Sequence, residues 1–283
     1  MIFKYLECWN ILFTYFIGNN LCKITPYKRY QISKDSFIHH IIKPSNPVGN
    51  ILLLQGGIGN MDLNSYYFKL FLTFLHQNCN VFVFEKFIPI LGPHNSHLIH
   101  LCLQHIKTNF HGPITVVGFS AGGILLFNYL SLNYDDADLY IPLCCPVDVS
   151  NLKSVFQDHP VFRKIIKSAY NKYQVDDFTN LLLISGSNES DFNDSIANQI
   201  NRLNYSTSWI DKTIYILGEN DPLTHPCNHQ INCLSKKPVT YIVDKGWHCC
   251  LDTIRLASHI NNNFFQKYSR NSIKFSPKFE LSL

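Results

Sequence analysis

From about Asn50 onward, short apolar runs alternate with longer stretches of helical period, and this alternation constrains the fold more than any other feature. ILLLQ (51–55), VFVFE (81–85), ITVVGF (114–119) and DLYIPLCC (138–145) are short and apolar, as in strands covered on both faces. SYYFKLFLTFLHQ (65–77), SHLIHLCLQHIK (96–107) and AGGILLFNYLSL (121–132) lie between them and read as helices. The β-α-β-α order predicts a parallel sheet with helices on both faces. Residues 148–205 break the rhythm, with helical patterns around 159–173 and 193–203 and weaker strand character at LLLIS (181–185). The alternation then resumes with strands TIYILG (213–218) and VTYIV (239–243) and a last helix at 251–268. The expectation is an α/β domain over 21–283 carrying a helical cap at about 148–205, with an extended tail from Arg270.

The first residues, MIFKYLECWNILFTYFIG, are apolar, with Lys4, Glu7, Asn10 and Thr14 on one arc of a 3.6-residue helix. That predicts an amphipathic helix within 1–20 rather than a membrane span, which needs about 20 apolar residues. Two placements stand open: packed on the domain, or lying in a membrane surface through residues 2–17. Glu7 and the lack of a small-residue cleavage site argue against a cleaved signal. Ten cysteines without a CxxC, among them the adjacent pairs Cys144–Cys145 and Cys249–Cys250, suit reduced thiols in an intracellular protein. The net charge is +4 and no basic run exceeds two residues, which argues against a nucleic-acid partner.

VVGFSAGG (116–123) places Ser120 at an expected strand–helix junction, in the pattern G-x-S-x-G. There a serine occupies the tip of a strained turn and its hydroxyl projects above the sheet. Gly118 and Gly122 stand where side chains would collide with the neighbouring helix and strand. The helix N-terminus and the Ala121 N–H then face any negative charge that forms beside Ser120.

A serine hydroxyl is a poor nucleophile at neutral pH and needs a base, which a carboxylate must orient. In this architecture the chain order is Ser, acid, His, each just past a strand. Asp221 follows TIYILGEN and His248 follows VTYIVDKGW, so the order is met at the strand ends where open α/β sheets gather their sites. Taken singly, Asp221 in NDP also reads as a turn residue and His248 as a core histidine. Asp148, after the strand at 138–145, is the alternative acid, and Glu219 is a weaker rival. Asp244 and Asp252 lie too close to His248 in sequence to face its ring. A second oxyanion donor is expected from the loop LLLQGGIGN, where Gly57 is the candidate to pair with Ala121.

Together LLLQGGIGN, VVGFSAGGILLFNYL, ILGENDPLTHP and DKGWH resemble the α/β-hydrolase superfamily over residues 50 to 268. The resemblance implies a mostly parallel sheet flanked by helices, a cap insertion and a serine hydrolase. SAGGILLFNYLS, CCPVDVS and ENDPLTHP are similar to the embryogenesis-associated branch of esterases and acylglycerol or phospholipid lipases. Some members of that branch carry an N-terminal membrane-anchoring helix, which would suit residues 2–17. Gln55 stands where that family usually has His, EKFIPILGP replaces its Arg-Gly turn, and the segment before the core looks short.

Other clusters read as structure. His97, His100 and Gln104 fall on the helix side opposite Leu98, Ile99, Cys102, Leu103 and Ile106, and no carboxylate is expected to join them. The spacing of His225, Cys227, His229 and Cys233 fits no common zinc pattern. Cys249 offers a thiol beside His248, but adjacent side chains diverge. The expectation is a serine hydrolase acting on a carboxylic ester of lipid or acyl character, with no metal or cofactor. A catalytically silent fold used for binding is the alternative that the Gln55 and EKFIPILGP departures favour.

Overall fold

The computed structural model describes residues 27–34, 36–56, 66–85, 93–147, 167, 208–224 and 234–270. The expected amphipathic helix within 1–20, the cap at 148–205 (save Lys167) and the tail beyond Arg270 lie outside these residues, so the expected domain division is left to sequence.

Eight strands form one sheet: β1 (Lys28–Ser33), β2 (Ser36–Ile42), β3 (Gly49–Leu54), β4 (Cys79–Glu85), β5 (Ile114–Phe119), β6 (Leu139–Leu143), β7 (Ile214–Gly218) and β8 (Val239–Val243). Their spatial order is β1-β2-β4-β3-β5-β6-β7-β8. The pairings from β4 through β8 are parallel, whereas β1 and β2 add an antiparallel hairpin at one edge. The helices are α1 (Tyr66–Thr73), α2 (Pro93–Asn109), α3 (Ala121–Ser131) and α4 (Leu251–Arg270), with a short 3₁₀ turn at Ile210–Lys212. The mostly parallel sheet with flanking helices is the architecture expected from the alternation.

The strand order follows from chirality. The β3→β4 crossover runs one way along the sheet, whereas β4→β5 and β5→β6 run the other. Right-handed crossovers therefore put α1 on one face and α2 and α3 on the opposite face. Two apolar clusters record this. Leu52, Leu54 and Val116 pack with Leu98 and Ile106 of α2 and Leu126 of α3. Ile51, Leu53 and Val117 pack instead with Phe71 of α1 and Ile254 and Phe264 of α4. Alternate residues of one strand thus feed opposite cores.

Every residue of α3 is buried. AGGILLFNYLS is apolar around most of its circumference, which suits a helix enclosed on all sides. The β6–β7 ladder is thin, with Leu143 paired to Ile216 and an isolated bridge from Tyr140 to Thr213. The Cys144 N–H donates to the Ile216 carbonyl, so the residue two earlier faces β7 as well. That residue is Pro142, which has no N–H to donate.

The β1–β2 hairpin, upstream of the expected core, was not anticipated. His39 and His40 are buried in β2, so its inward positions are not purely apolar, and β1 is half exposed. His40 is stacked on Phe82 at 4.4 Å between ring centroids.

Candidate active site

β5 ends at Phe119 and α3 begins at Ala121, leaving Ser120 alone in the turn at φ 50°, ψ −116°. Its N–H donates to the Leu143 carbonyl at 2.8 Å, and its carbonyl accepts the N–H groups of Gly123 and Ile124. Backbone contacts on both sides therefore hold a conformation that a non-glycine residue rarely adopts. The two glycines of the pentapeptide act as expected. A Cβ on Gly118 would stand 2.6 Å from the Gly122 carbonyl oxygen, and one on Gly122 would stand 2.2 Å from that of Leu54. Gly118 lets α3 approach β5, and Gly122 lets α3 approach β3.

His248 and Asp221 follow β8 and β7, which are neighbours in the sheet. Their loops are drawn together by a contact that the sequence reading did not identify. A Cβ on Gly218 would meet the Gly246 carbonyl oxygen at 2.5 Å and the Trp247 oxygen at 2.8 Å. The Asn220 N–H donates to Gly246, and the Glu219 N–H donates to Val243. The available signal was a glycine ending the first strand, in ILGEN, and one three residues past the second, in VDKGW.

The side chains of the three expected residues meet. His248 Nε2 lies 2.7 Å from Ser120 Oγ, and His248 Nδ1 lies 2.9 Å from Asp221 Oδ2. Asp221 is fully buried and His248 is 5% exposed. The other Asp221 oxygen, Oδ1, accepts the Leu223 N–H at 2.9 Å. One Asp221 oxygen thus caps the Asp-Pro turn and the other faces the imidazole. With the carboxylate on Nδ1, the favoured tautomer carries its proton there and leaves Nε2 to accept the Ser120 O–H.

Burial lowers the His248 pKa, but the charge of Asp221 and its hydrogen bond raise it by more, so the net shift is upward. Ala121 opens α3 directly after Ser120, which places the helix N-terminus at this point.

The rival acids separate on placement. Glu219 Oε2 accepts the Lys245 N–H at 2.9 Å and braces the β8 turn. Asp244 is exposed and pairs with Lys245 at 4.0 Å, and Asp252 is exposed on α4. Asp148 and Gly57 lie outside the described residues, as do His225, Cys227, His229 and Cys233.

One expectation needs correcting. His100 and Gln104 do have a carboxylate: Asp136, from the α3–β6 connection, lies 2.6 Å from His100 Nδ1 and accepts Gln104 Nε2 at 2.7 Å. The Tyr129 hydroxyl donates to the same carboxylate at 2.7 Å. Thirty-two residues or more separate Asp136 from His100 and Gln104, so local spacing could not reveal it. Among the described residues, no group of three or more His, Cys, Asp or Glu side chains is placed to hold a metal ion.

Three solved structures share this architecture. An esterase of Pyrobaculum calidifontis is 12% identical, with 94% of this chain and 92% of that one covered and a TM-score of 0.59. An arylesterase is 15% identical, with 92% and 89% covered and a TM-score of 0.60. Carboxyl esterase 2 of the mycorrhizal fungus Tuber melanosporum is 13% identical, with 88% of each chain covered and a TM-score of 0.58. At these identities the likeness concerns the fold, and the chain has the α/β-hydrolase fold. No protein-family model matches the sequence, and no curated protein matches it.

Proposed function

We propose that the chain is a serine hydrolase that cleaves carboxylic esters through Ser120, His248 and Asp221. The observation that carries this reading is the pair of hydrogen bonds on the His248 ring, 2.7 Å to Ser120 Oγ and 2.9 Å to Asp221 Oδ2. His248 Nε2 takes the Ser120 proton as Oγ attacks the ester carbonyl. Asp221 holds the tautomer and stabilises the imidazolium. The tetrahedral oxyanion is held by the Ala121 N–H at the start of α3 and by the Gly57 N–H as second donor, each such bond worth about 2.7–4 kcal/mol in the transition state. His248 then protonates the leaving alcohol, and water, deprotonated by His248, releases the acyl group from Ser120.

The three structural neighbours named above are an esterase, an arylesterase and a carboxyl esterase, which supports an ester as substrate. An apolar acyl chain is favoured by the apolar sequence of residues 2–17, for which peripheral membrane contact is proposed, and by the resemblance to acylglycerol and phospholipid lipases. Among the described residues, no helix is long and apolar enough to cross a membrane. The test is turnover of p-nitrophenyl esters graded from acetyl to palmitoyl. Wild-type protein is expected to hydrolyse them with a preference among chain lengths, and Ser120→Ala is expected to lose the activity. Folded wild-type protein that turns over none of them contradicts the proposal.

A further inference from the structure

The helix α1, which follows the expected oxyanion loop, is too short to hold itself. It has eight residues, YYFKLFLT, where an isolated helix shorter than about 12–15 residues is marginal in water. Its C-terminal end has no glycine to close it, because the chain continues FLHQNC through 74–79. The last turn is tightened instead. The Phe74 N–H is shared between the Leu70 and Phe71 carbonyls at 3.3 and 3.2 Å, and the Leu75 N–H reaches Leu72 at 3.2 Å.

α4 supplies the missing partners. Ser258 and Asn262 are four residues apart, so they lie on one face of α4. Ser258 Oγ donates to the Phe71 carbonyl at 3.0 Å. Asn262 Nδ2 donates to the Phe74 carbonyl at 2.8 Å, and Asn262 Oδ1 accepts the His76 N–H at 3.0 Å. One carboxamide thus holds two backbone groups that are two residues apart, which fixes orientation as well as distance. Ser258 and Asn262 are 0% and 7% exposed, so water competes little for these bonds. The next residue, Asn263, turns instead to His259 of its own helix, with Nδ2 2.9 Å from Nε2. Ile254, Ala257 and Phe264 of α4 share an apolar cluster with Phe71, so the polar contacts are set in a packed face.

α1 in turn is tied to the nucleophile. The Phe71 ring stands edge-on to that of Phe119, the residue before Ser120, with centroids 5.9 Å apart. The segment that ends at α1 begins at Gly56, where a Cβ would stand 2.8 Å from Ser120 Cβ. Its near end is therefore set against Ser120, and its far end is set by α1 on α4.

We propose that Asn262, assisted by Ser258, is a positioning residue for the reaction: it holds α1, and with it the segment carrying Gly57, in the register with Ser120 that the oxyanion requires. The inference rests on the reading of Ser120 as nucleophile and Gly57 as oxyanion donor given above. Asn262 acts through α1 and not on the substrate. Without its bonds α1 is free to shift, and a displacement of about 1 Å in the site costs on the order of a hundredfold in rate. His248 and Asp221 are held separately, by the close approach of Gly218 to Gly246.

The experiment compares wild-type protein with Asn262→Leu, which keeps the branched shape of the side chain and removes all three of its polar functions: donor, acceptor and dipole. Four readouts are taken: kcat and KM on p-nitrophenyl acetate, the pH profile of kcat/KM, inhibition by a trifluoromethyl ketone, and hydrogen exchange. The ketone is chosen because its adduct with Ser120 Oγ carries the oxyanion. The expected result is a kcat lowered on the order of a hundredfold with KM nearly unchanged. Inhibition should weaken by the same factor as kcat/KM falls. The acid-side midpoint should stay where it is in wild type, and faster exchange should be confined to residues 66–76. Folded Asn262→Leu with wild-type kcat and inhibition, or with unaltered exchange in α1, overturns the proposal. So does a loss of activity accompanied by a moved midpoint, which assigns the effect to His248. Should Asn262→Leu fail to fold, Ser258→Ala removes one bond and is expected to move the same readouts in the same direction. Wild-type protein that neither turns over the ester nor forms the ketone adduct removes the serine-hydrolase reading, whereas an active wild type with an indifferent variant removes only the role of Asn262.

Discussion

His248 Nε2 and Ser120 Oγ are 2.7 Å apart although 128 residues separate them in the chain. The contact depends on strand ends at one side of the sheet, where the order is β5-β6-β7-β8: β5 lies beneath Ser120, β7 beneath Asp221 and β8 beneath His248. Each residue stands past the carboxyl end of its strand, where an open parallel sheet presents its loops.

Asp221→Asn tests the orientation of the imidazole. Asn can still accept the Leu223 N–H through Oδ1, so the Asp-Pro turn should persist. Its amide nitrogen can face Nδ1 and favour the tautomer that denies Nε2 a lone pair. The expected loss in kcat is about 10⁴-fold on p-nitrophenyl acetate, with little change in melting temperature. Retention of most of the activity would move the acid elsewhere, with Asp148 the next residue to replace.

The pH profile follows from His248. The base must be neutral, and its pKa is raised above its ordinary value of 6.5 by Asp221 against the opposing effect of burial. Activity should therefore fall on the acid side with a midpoint of kcat/KM above 6.5. In Asp221→Asn the raising charge is gone and burial remains, so the midpoint of the residual activity should move down. A wild-type midpoint below 6.5 would contradict the assigned balance.

Stability should carry a separate pH signature from His40. It is 0% exposed, and burial pulls its pKa below 6.5, with Lys43 acting in the same direction. Its folded pKa lies below the unfolded value, so its contribution is present above about 6.5 and lost as pH falls through the folded pKa. His40→Phe keeps a ring against Phe82 and removes the titration. Urea unfolding at pH 7.5 and pH 5 should show a smaller loss for the variant than for wild type. Equal losses would remove His40 from the account.

Gly122→Ala tests the close approach of α3 to β3. The added Cβ would meet the Leu54 carbonyl oxygen, a backbone atom that cannot swing aside. Destabilisation of about 1–3 kcal/mol is expected, with slower labelling of Ser120 because the same turn positions it. Calorimetry and labelling kinetics check both, and unchanged values would mean the turn has slack.

The strands from β3 to β7 were legible because strands covered on both faces are apolar throughout and are bounded by helical period or turns, and β8, partly exposed at the sheet edge, was legible from its β-branched run VTYIV. The joint order of Ser120, Asp221 and His248 was legible because this architecture requires each at a strand end. The β1–β2 hairpin was not, because His39 and His40 occupy inward positions and β1 is half exposed. Helix ends also differed: α2 begins at Pro93 rather than Ser96, since proline is tolerated in a first turn, and α1 stops at Thr73. The Gly218–Gly246 approach and the Asp136 network are tertiary contacts between distant segments, which local period and spacing do not encode.

The most direct measurement is intact-mass spectrometry of the folded protein after a fluorophosphonate probe, followed by peptide mapping. The proposed activity of Ser120 predicts a single adduct on that residue, absent from folded Ser120→Ala and strongly slowed in His248→Ala. Folded wild-type protein that acquires no adduct, or a Ser120→Ala protein that still acquires one, contradicts it.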